Sequence, residues 1–145
     1  MIRVTRKYRF SASHRLHAAV LSDEENRELY GKCDNPYGHG HNYEIAVSAR
    51  GPLDPRTARV LDPAVLDRLV QEQVLRPFDH RNLNEEIPEF RGSVPTTENL
   101  ANEIFRRLEA HWKSTFPADG PALEKISIAE TPRNIFEVSE IHGQA

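Results

Sequence analysis

A chain of 145 residues, 38% hydrophobic and 28% charged, has enough apolar material for one core and too little for two. Its formal net charge of -3 excludes a generally basic surface, so nucleic acid and anionic membrane are not expected partners. No apolar run approaches the roughly 18 residues of a membrane span, Met1 to Lys7 lacks the apolar stretch of a signal peptide, and a single cysteine excludes an internal disulfide. The expectation is one cytoplasmic domain over residues 1–145.

From Ile2 to His14 the even positions are Ile2, Val4, Arg6, Tyr8, Phe10, Ala12 and His14, an alternation broken only by Arg6. It predicts a strand whose inward face carries His14, where an imidazole needs a partner. Ser22-Asp23-Glu24-Glu25 has the form of a capping box and predicts a short charged helix to Leu29, stopped at Gly31. A second strand starts near His39, with His39, His41, Tyr43, Ile45, Val47 and Ala49 facing in, and Gly51-Pro52-Leu53-Asp54-Pro55 ends it. Asp62 and Pro63 open a helix with the stripe Val65, Leu66, Leu69, Val70 and Val74, and Pro77 is its expected stop. A loop then carries Asp79-His80-Arg81-Asn82. Thr96 caps a second helix that buries Leu100, Ile104, Phe105, Leu108 and Trp112. Alternation returns over Glu124 to Glu130, placing Glu130 on the apolar face with Ile126 and Ile128, and a last strand runs from Ile135 to Ile141.

The order ββααββ predicts an α+β fold, a four-stranded antiparallel sheet with its helices on one face. Its outer strands are open edges, which predicts a homo-oligomer.

His14, His39 and His41 are three inward imidazoles from two strands. Three neutral imidazoles with an open fourth position suit a catalytic zinc ion, and histidines held by core hydrogen bonds are the alternative. Cys33 is either a small buried hydrophobe or a thiol that acts as a base once a neighbouring cation, metal or histidine favours the thiolate. Asp79-His80 reads as a relay or as loop residues. Glu98 suits the positive end of a helix dipole without further function. Glu130, facing inward, needs donors, and either a flat heterocycle with adjacent N–H and NH2 groups or a structural arginine supplies them. Arg15, Arg81 and Arg133 either bind phosphate or pair with surface acids.

Phe10-Ser-Ala-Ser-His-Arg-Leu-His17, Leu21-Ser-Asp-Glu-Glu-Asn26, Gly31-Lys-Cys33, Asn35-Pro-Tyr-Gly-His-Gly-His-Asn42, Asp79-His-Arg-Asn-Leu83, Thr96-Thr-Glu-Asn99 and Glu130-Thr131 together resemble the 6-pyruvoyltetrahydropterin synthase family, in order and over almost the whole chain. The resemblance implies the tunnelling fold (T-fold), in which strand pairs from neighbouring subunits join into barrels. It implies a homohexamer made of two trimers, with active sites at subunit interfaces. It assigns His14, His39 and His41 to zinc, Cys33, Asp79 and His80 to catalysis, Glu130 to anchoring the pterin, and Thr96, Thr97 and Glu98 to lining its pocket. The implied activity is that of a carbon-oxygen lyase converting 7,8-dihydroneopterin triphosphate to 6-pyruvoyltetrahydropterin, with Mg2+ accompanying the triphosphate.

A sister activity, 6-carboxytetrahydropterin synthase of queuosine biosynthesis, resembles the same fold and substrate, but its cysteine typically stands three residues from the His-Gly-His. Here five residues separate Cys33 from His39, and Asn134 follows Glu130-Thr131, which favours the pyruvoyl product. A non-catalytic, zinc-stabilised pterin-binding module and a metal-assisted hydrolase are the other classes. The first has no need of Cys33, Asp79 and His80, and the second has no need of Glu130 as a ring anchor.

Overall fold

The computed structural model describes residues 1–140. In chain order the elements are β1 (Ile2–His14), α1 (Asp23–Tyr30), β2 (His39–Gly51), α2 (Pro63–Val70), α3 (Arg76–Phe78), β3 (Arg81–Asn82), α4 (Leu83–Glu86), α5 (Thr97–Thr115), β4 (Ala122–Thr131) and β5 (Asn134–Ser139). A 3-10 turn at Gly31–Asp34 follows α1. The last strand therefore begins at Asn134, and Ile141, its expected end, lies outside the described residues.

β1, β2, β4 and β5 are antiparallel neighbours, as the alternating patterns predict. The sheet nevertheless has five strands, in the order β3-β1-β2-β4-β5, and is mixed. The addition is β3, which runs parallel to β1 and pairs Ala12 with Arg81 and Ser13 with Asn82. Tertiary bonds place it. The Ser11 N–H donates to Asp79 Oδ1 at 2.9 Å, and the His80 N–H donates to the Ser11 carbonyl at 2.6 Å. Two residues contain no alternation to read.

The helix opened by the Asp62 cap also departs from expectation, because Pro77 does not end it. α2 passes through a π turn at Gln71–Leu75 into α3, and the Arg76 N–H bonds to the carbonyl of Gln71, five residues back. The ladder is thus already re-spaced where proline brings no donor. The Asp79 N–H then closes on Leu75 at 2.8 Å.

One core lies between the sheet and its helices. Leu100, Ile104 and Leu108 of α5 are fully buried in one cluster with Ile45 and Val47 of β2 and Ile126 and Ile128 of β4. Full burial of each such side chain is worth about 1.5–3 kcal/mol. Thr96 caps α5 through its Oγ1, which accepts from the Asn99 N–H at 3.2 Å. Arg6, the exception in the β1 pattern, makes a two-pronged pair with Asp67 of α2 at 2.8 and 2.9 Å, and the Tyr8 hydroxyl donates to the same carboxylate at 2.7 Å. Beyond β3, the free side of β1 is one sheet edge and β5 is the other.

Candidate metal centre and its surroundings

The register of β1 on β2 sets His14 directly opposite His39, with His41 opposite Ala12. Strand parity sends all three rings to the core side. Gly38 makes the approach to β2 possible: its φ is +75°, and a Cβ there would meet the His14 carbonyl oxygen at 3.1 Å.

The three rings stack edge to face, with centroids 4.6 to 4.9 Å apart. One ligand atom from each lies within 4.8 Å of the others. His14 is fully buried, and its Nδ1 lies 2.8 Å from the Pro95 carbonyl. A carbonyl only accepts, so Nδ1 carries the proton and Nε2 presents its lone pair, 3.2 Å from His39 Nε2. Two nitrogens bound to one tetrahedral zinc stand roughly 3.3 Å apart, so the pair is spaced as ligands are. His39 Nδ1 and His41 Nε2 are buried without a hydrogen-bond partner. A buried polar atom left unpaired costs about 1–3 kcal/mol, and the orphaned His41 Nε2, on a ring packed against His14 and His39, fits a group that would take a cation. Burial holds the His14 pKa down at about 4 and lowers that of His39, so both rings are neutral at physiological pH, the form that ligates.

Glu130 closes one side of the cluster. Its Oε1 is 3.0 Å from His41 Nε2, outside hydrogen-bond alignment, and its Oε2 accepts from Thr97 Oγ1 at 2.6 Å. Among the described residues no arginine pairs with it, so the structural-arginine explanation finds no support. Thr97 is buried, Thr96 is occupied as the helix cap, and Glu98 is exposed on the first turn of α5. The loop entering α5 therefore holds the metal side through Pro95 and the carboxylate through Thr97.

Cys33 lies on the 3-10 turn after α1, partly exposed. Burial and the charge of Glu130 raise its pKa, so the thiol needs a partner to give up its proton. Among the described residues neither Asp79 nor His80 hydrogen-bonds the thiol. His80 Nδ1 is 3.0 Å from Asp79 Oδ1, and its side chain is 82% exposed. It lines an open hollow at the β1 edge with Ser11, Ser13 and Asn42, and Ala12 and His41 line the same hollow. His80 also holds a φ of +60°, an uncommon conformation for a residue with a Cβ, costing about 1–3 kcal/mol and typical of functional positions.

Two of the three arginines singled out from the sequence are engaged in ion pairs. Arg15 pairs with Asp34 and Arg81 with Glu86, while Arg133 sits exposed in the turn before β5. Pro95 escapes sequence reasoning because a backbone carbonyl is no motif, and only its place one residue before the Thr96 cap hints at it. Tyr43, stacked on Phe10 and beside His14 and His41, reads from sequence as core and is fully buried.

Comparison with known proteins bears on all of this. The model of the family described as 6-pyruvoyl tetrahydropterin synthase matches residues 3–140. A Poecilia reticulata protein named 6-pyruvoyl tetrahydrobiopterin synthase is 46% identical over 132 residues, covering 91% of this chain and 86% of the relative. The Homo sapiens protein of the same name is 44% identical, covering 91% and 87%. The solved structure of Caenorhabditis elegans 6-pyruvoyl tetrahydropterin synthase superposes with a TM-score of 0.86 at 42% identity, over 97% of this chain and 96% of that one.

Proposed function

The chain belongs to the 6-pyruvoyl tetrahydropterin synthase family, and from that premise we propose that it converts 7,8-dihydroneopterin triphosphate to 6-pyruvoyltetrahydropterin with release of triphosphate. The observation that carries the reading is the Glu130 carboxylate, held by Thr97 at 2.6 Å and set 3.0 Å from a histidine of the three-imidazole cluster. An acceptor with two oxygens suits the adjacent N–H and NH2 groups of a pterin. Anchoring the ring there brings its side chain beside His14, His39 and His41.

Those three residues hold zinc in this reading. Zinc bound there would supply Lewis acidity that acidifies the carbons beside the substrate's side-chain hydroxyls. Cys33 takes a proton from such a carbon and returns one to the next, so no external redox partner is needed. His80, oriented through Nδ1 by Asp79, accepts the thiol proton. Exposed at the β1 edge, His80 serves the Cys33 of a neighbouring copy, in keeping with barrel assembly through the open strand edges into a homohexamer. Thr97 orients Glu130, Thr96 and Glu98 flank the ring at the start of α5, and Mg2+ accompanies the triphosphate. The whole chain, residues 1–145, acts as one cytoplasmic domain. No helix among the described residues is long and apolar enough to cross a membrane.

Incubation of the zinc-loaded protein with dihydroneopterin triphosphate, followed by mass identification of products, tests the reading. The pyruvoyl product supports it. The carboxy product would assign the sister activity, and binding without turnover would leave a pterin-binding module.

A further inference from the structure

We propose that Asp34 is a positioning residue for Cys33, acting with Arg15 and His17 as a bracket that fixes the thiol relative to His14. Its catalytic consequence rests on the reading of Cys33 as the base; its geometry does not.

The turn that carries Cys33 has little to hold it from within. It is four residues of 3-10 helix, entered through Gly31 at φ +54° and followed by Asn35-Pro36. Such a turn has no continuous ladder, so bonds from outside set its place. Those bonds come from the segment directly after the His14 ligand position. The Leu16 N–H donates to the Cys33 carbonyl at 2.7 Å. Arg15 Nε donates to the Asp34 carbonyl at 3.0 Å, and Arg15 Nη2 lies 3.2 Å from Asp34 Oδ1. His17 Nδ1 meets the same Oδ1 at 2.7 Å. The Asp34 side chain is only 7% exposed, so its carboxylate depends on these two donors.

The far side of the bracket is itself pinned. Asn84 of α4 holds the Arg15 backbone at both polar groups, accepting from its N–H at 2.7 Å and donating to its carbonyl at 2.9 Å. Asn26 of α1 does the same for Ala18 at 2.7 and 3.0 Å, and its amide approaches His17 Nε2 at 3.4 Å. Arg15 to Ala18 is thus a short rigid spacer with the His14 ligand position at one end and Asp34 locked onto its middle. Since Cys33 and Asp34 are adjacent, the spacer sets where the thiol stands relative to the three imidazoles. Proton transfer is sensitive to such placement, and a shift of about 1 Å costs on the order of 100-fold in rate.

The test compares Asp34→Ala and Asp34→Asn with the parent in kcat, KM, bound zinc and the rate of Cys33 alkylation by iodoacetamide, the last read cleanly because the chain has one cysteine. Asp34→Ala is expected to lower kcat roughly 10- to 100-fold while KM and zinc content hold, and to speed alkylation severalfold as the turn loosens. Asp34→Asn, whose amide oxygen accepts from the same two donors, is expected to restore both. Parental kcat and alkylation in Asp34→Ala would overturn the bracket, as would an Asn variant as impaired as the Ala variant. Should Asp34→Ala fail to fold, His17→Phe keeps the Arg15 pair and carries the test, with a smaller change in the same direction expected and no change overturning it. Cys33→Ala that turns over at the parental rate would sink the base reading alone, since alkylation of Asp34→Ala still decides the bracket.

Discussion

Two regions of this chain carry imidazoles of opposite character. His14, His39 and His41 stand on the core side of the β1–β2 pair, packed against one another and backed by Pro95, Thr97 and Glu130. His80 stands at the exposed β1 edge, strained at positive φ and, among the described residues, bonded to Asp79 and the Ser11 backbone. The first region is finished within one chain. The second is held in shape with the His80 side chain 82% exposed, as the proposed pairing with a neighbouring copy requires. Burial and prepaid strain are two ways of preorganising a site, and in the proposed assembly they fall on different subunits.

The most damaging break falls on the finished region. His39→Ala removes one of three imidazoles, and metal content measured by atomic absorption should fall to background, together with turnover. Retained zinc at unit stoichiometry would move the centre elsewhere. Replacing the base comes next: Cys33→Ala should lower kcat by roughly 100- to 10,000-fold, the usual contribution of a positioned acid or base, while zinc stays bound.

A smaller effect probes the join between metal and ring anchor. Thr97→Val keeps the buried shape and drops the hydroxyl that Glu130 accepts from, so about 1–2 kcal/mol of orientation is lost and KM rises while zinc content holds. An unchanged KM would mean that Glu130 needs no such help.

Legibility in the sequence follows the same division. Period-two patterning places His14, His39, His41 and Glu130 on one side of the sheet, because a buried face forces register. The capping box at Ser22 and the Thr96 cap are readable for the same local reason. What lacks a period cannot be read this way. β3 is placed by the bonds Ser11 makes with Asp79 and His80 just before it, the π turn carries the helix past Pro77, and the Pro95 carbonyl reaches His14 across 81 positions. Asp34, from the sequence a mere flank to Cys33, shows its partners only once β1 and the 3-10 turn are in place.

The smallest expected effect is a control outside both regions. Arg6 holds the Asp67 carboxyl below its ordinary value of 3.8, the guanidinium bonds outweighing burial. A depressed carboxylate stabilises the fold above its unfolded pKa and loses that contribution as pH falls through the lower folded value. Both partners are about two-fifths exposed, so solvent screens the pair and its contribution is small. Denaturant midpoints of Asp67→Asn and the parent should therefore differ slightly at neutral pH and converge as the carboxyl protonates in acid. Metal content and turnover should not respond.

The division of labour between subunits is tested most directly by mixing two inactive variants. Cys33→Ala and His80→Ala, each without turnover alone, are unfolded together in equal amounts, refolded with zinc and assayed on dihydroneopterin triphosphate. If each site takes its thiol from one chain and its imidazole from another, random assortment leaves about a quarter of the sites intact, and activity returns to that level. A mixture as inactive as its two components, with assembly and zinc content normal, would contradict the account.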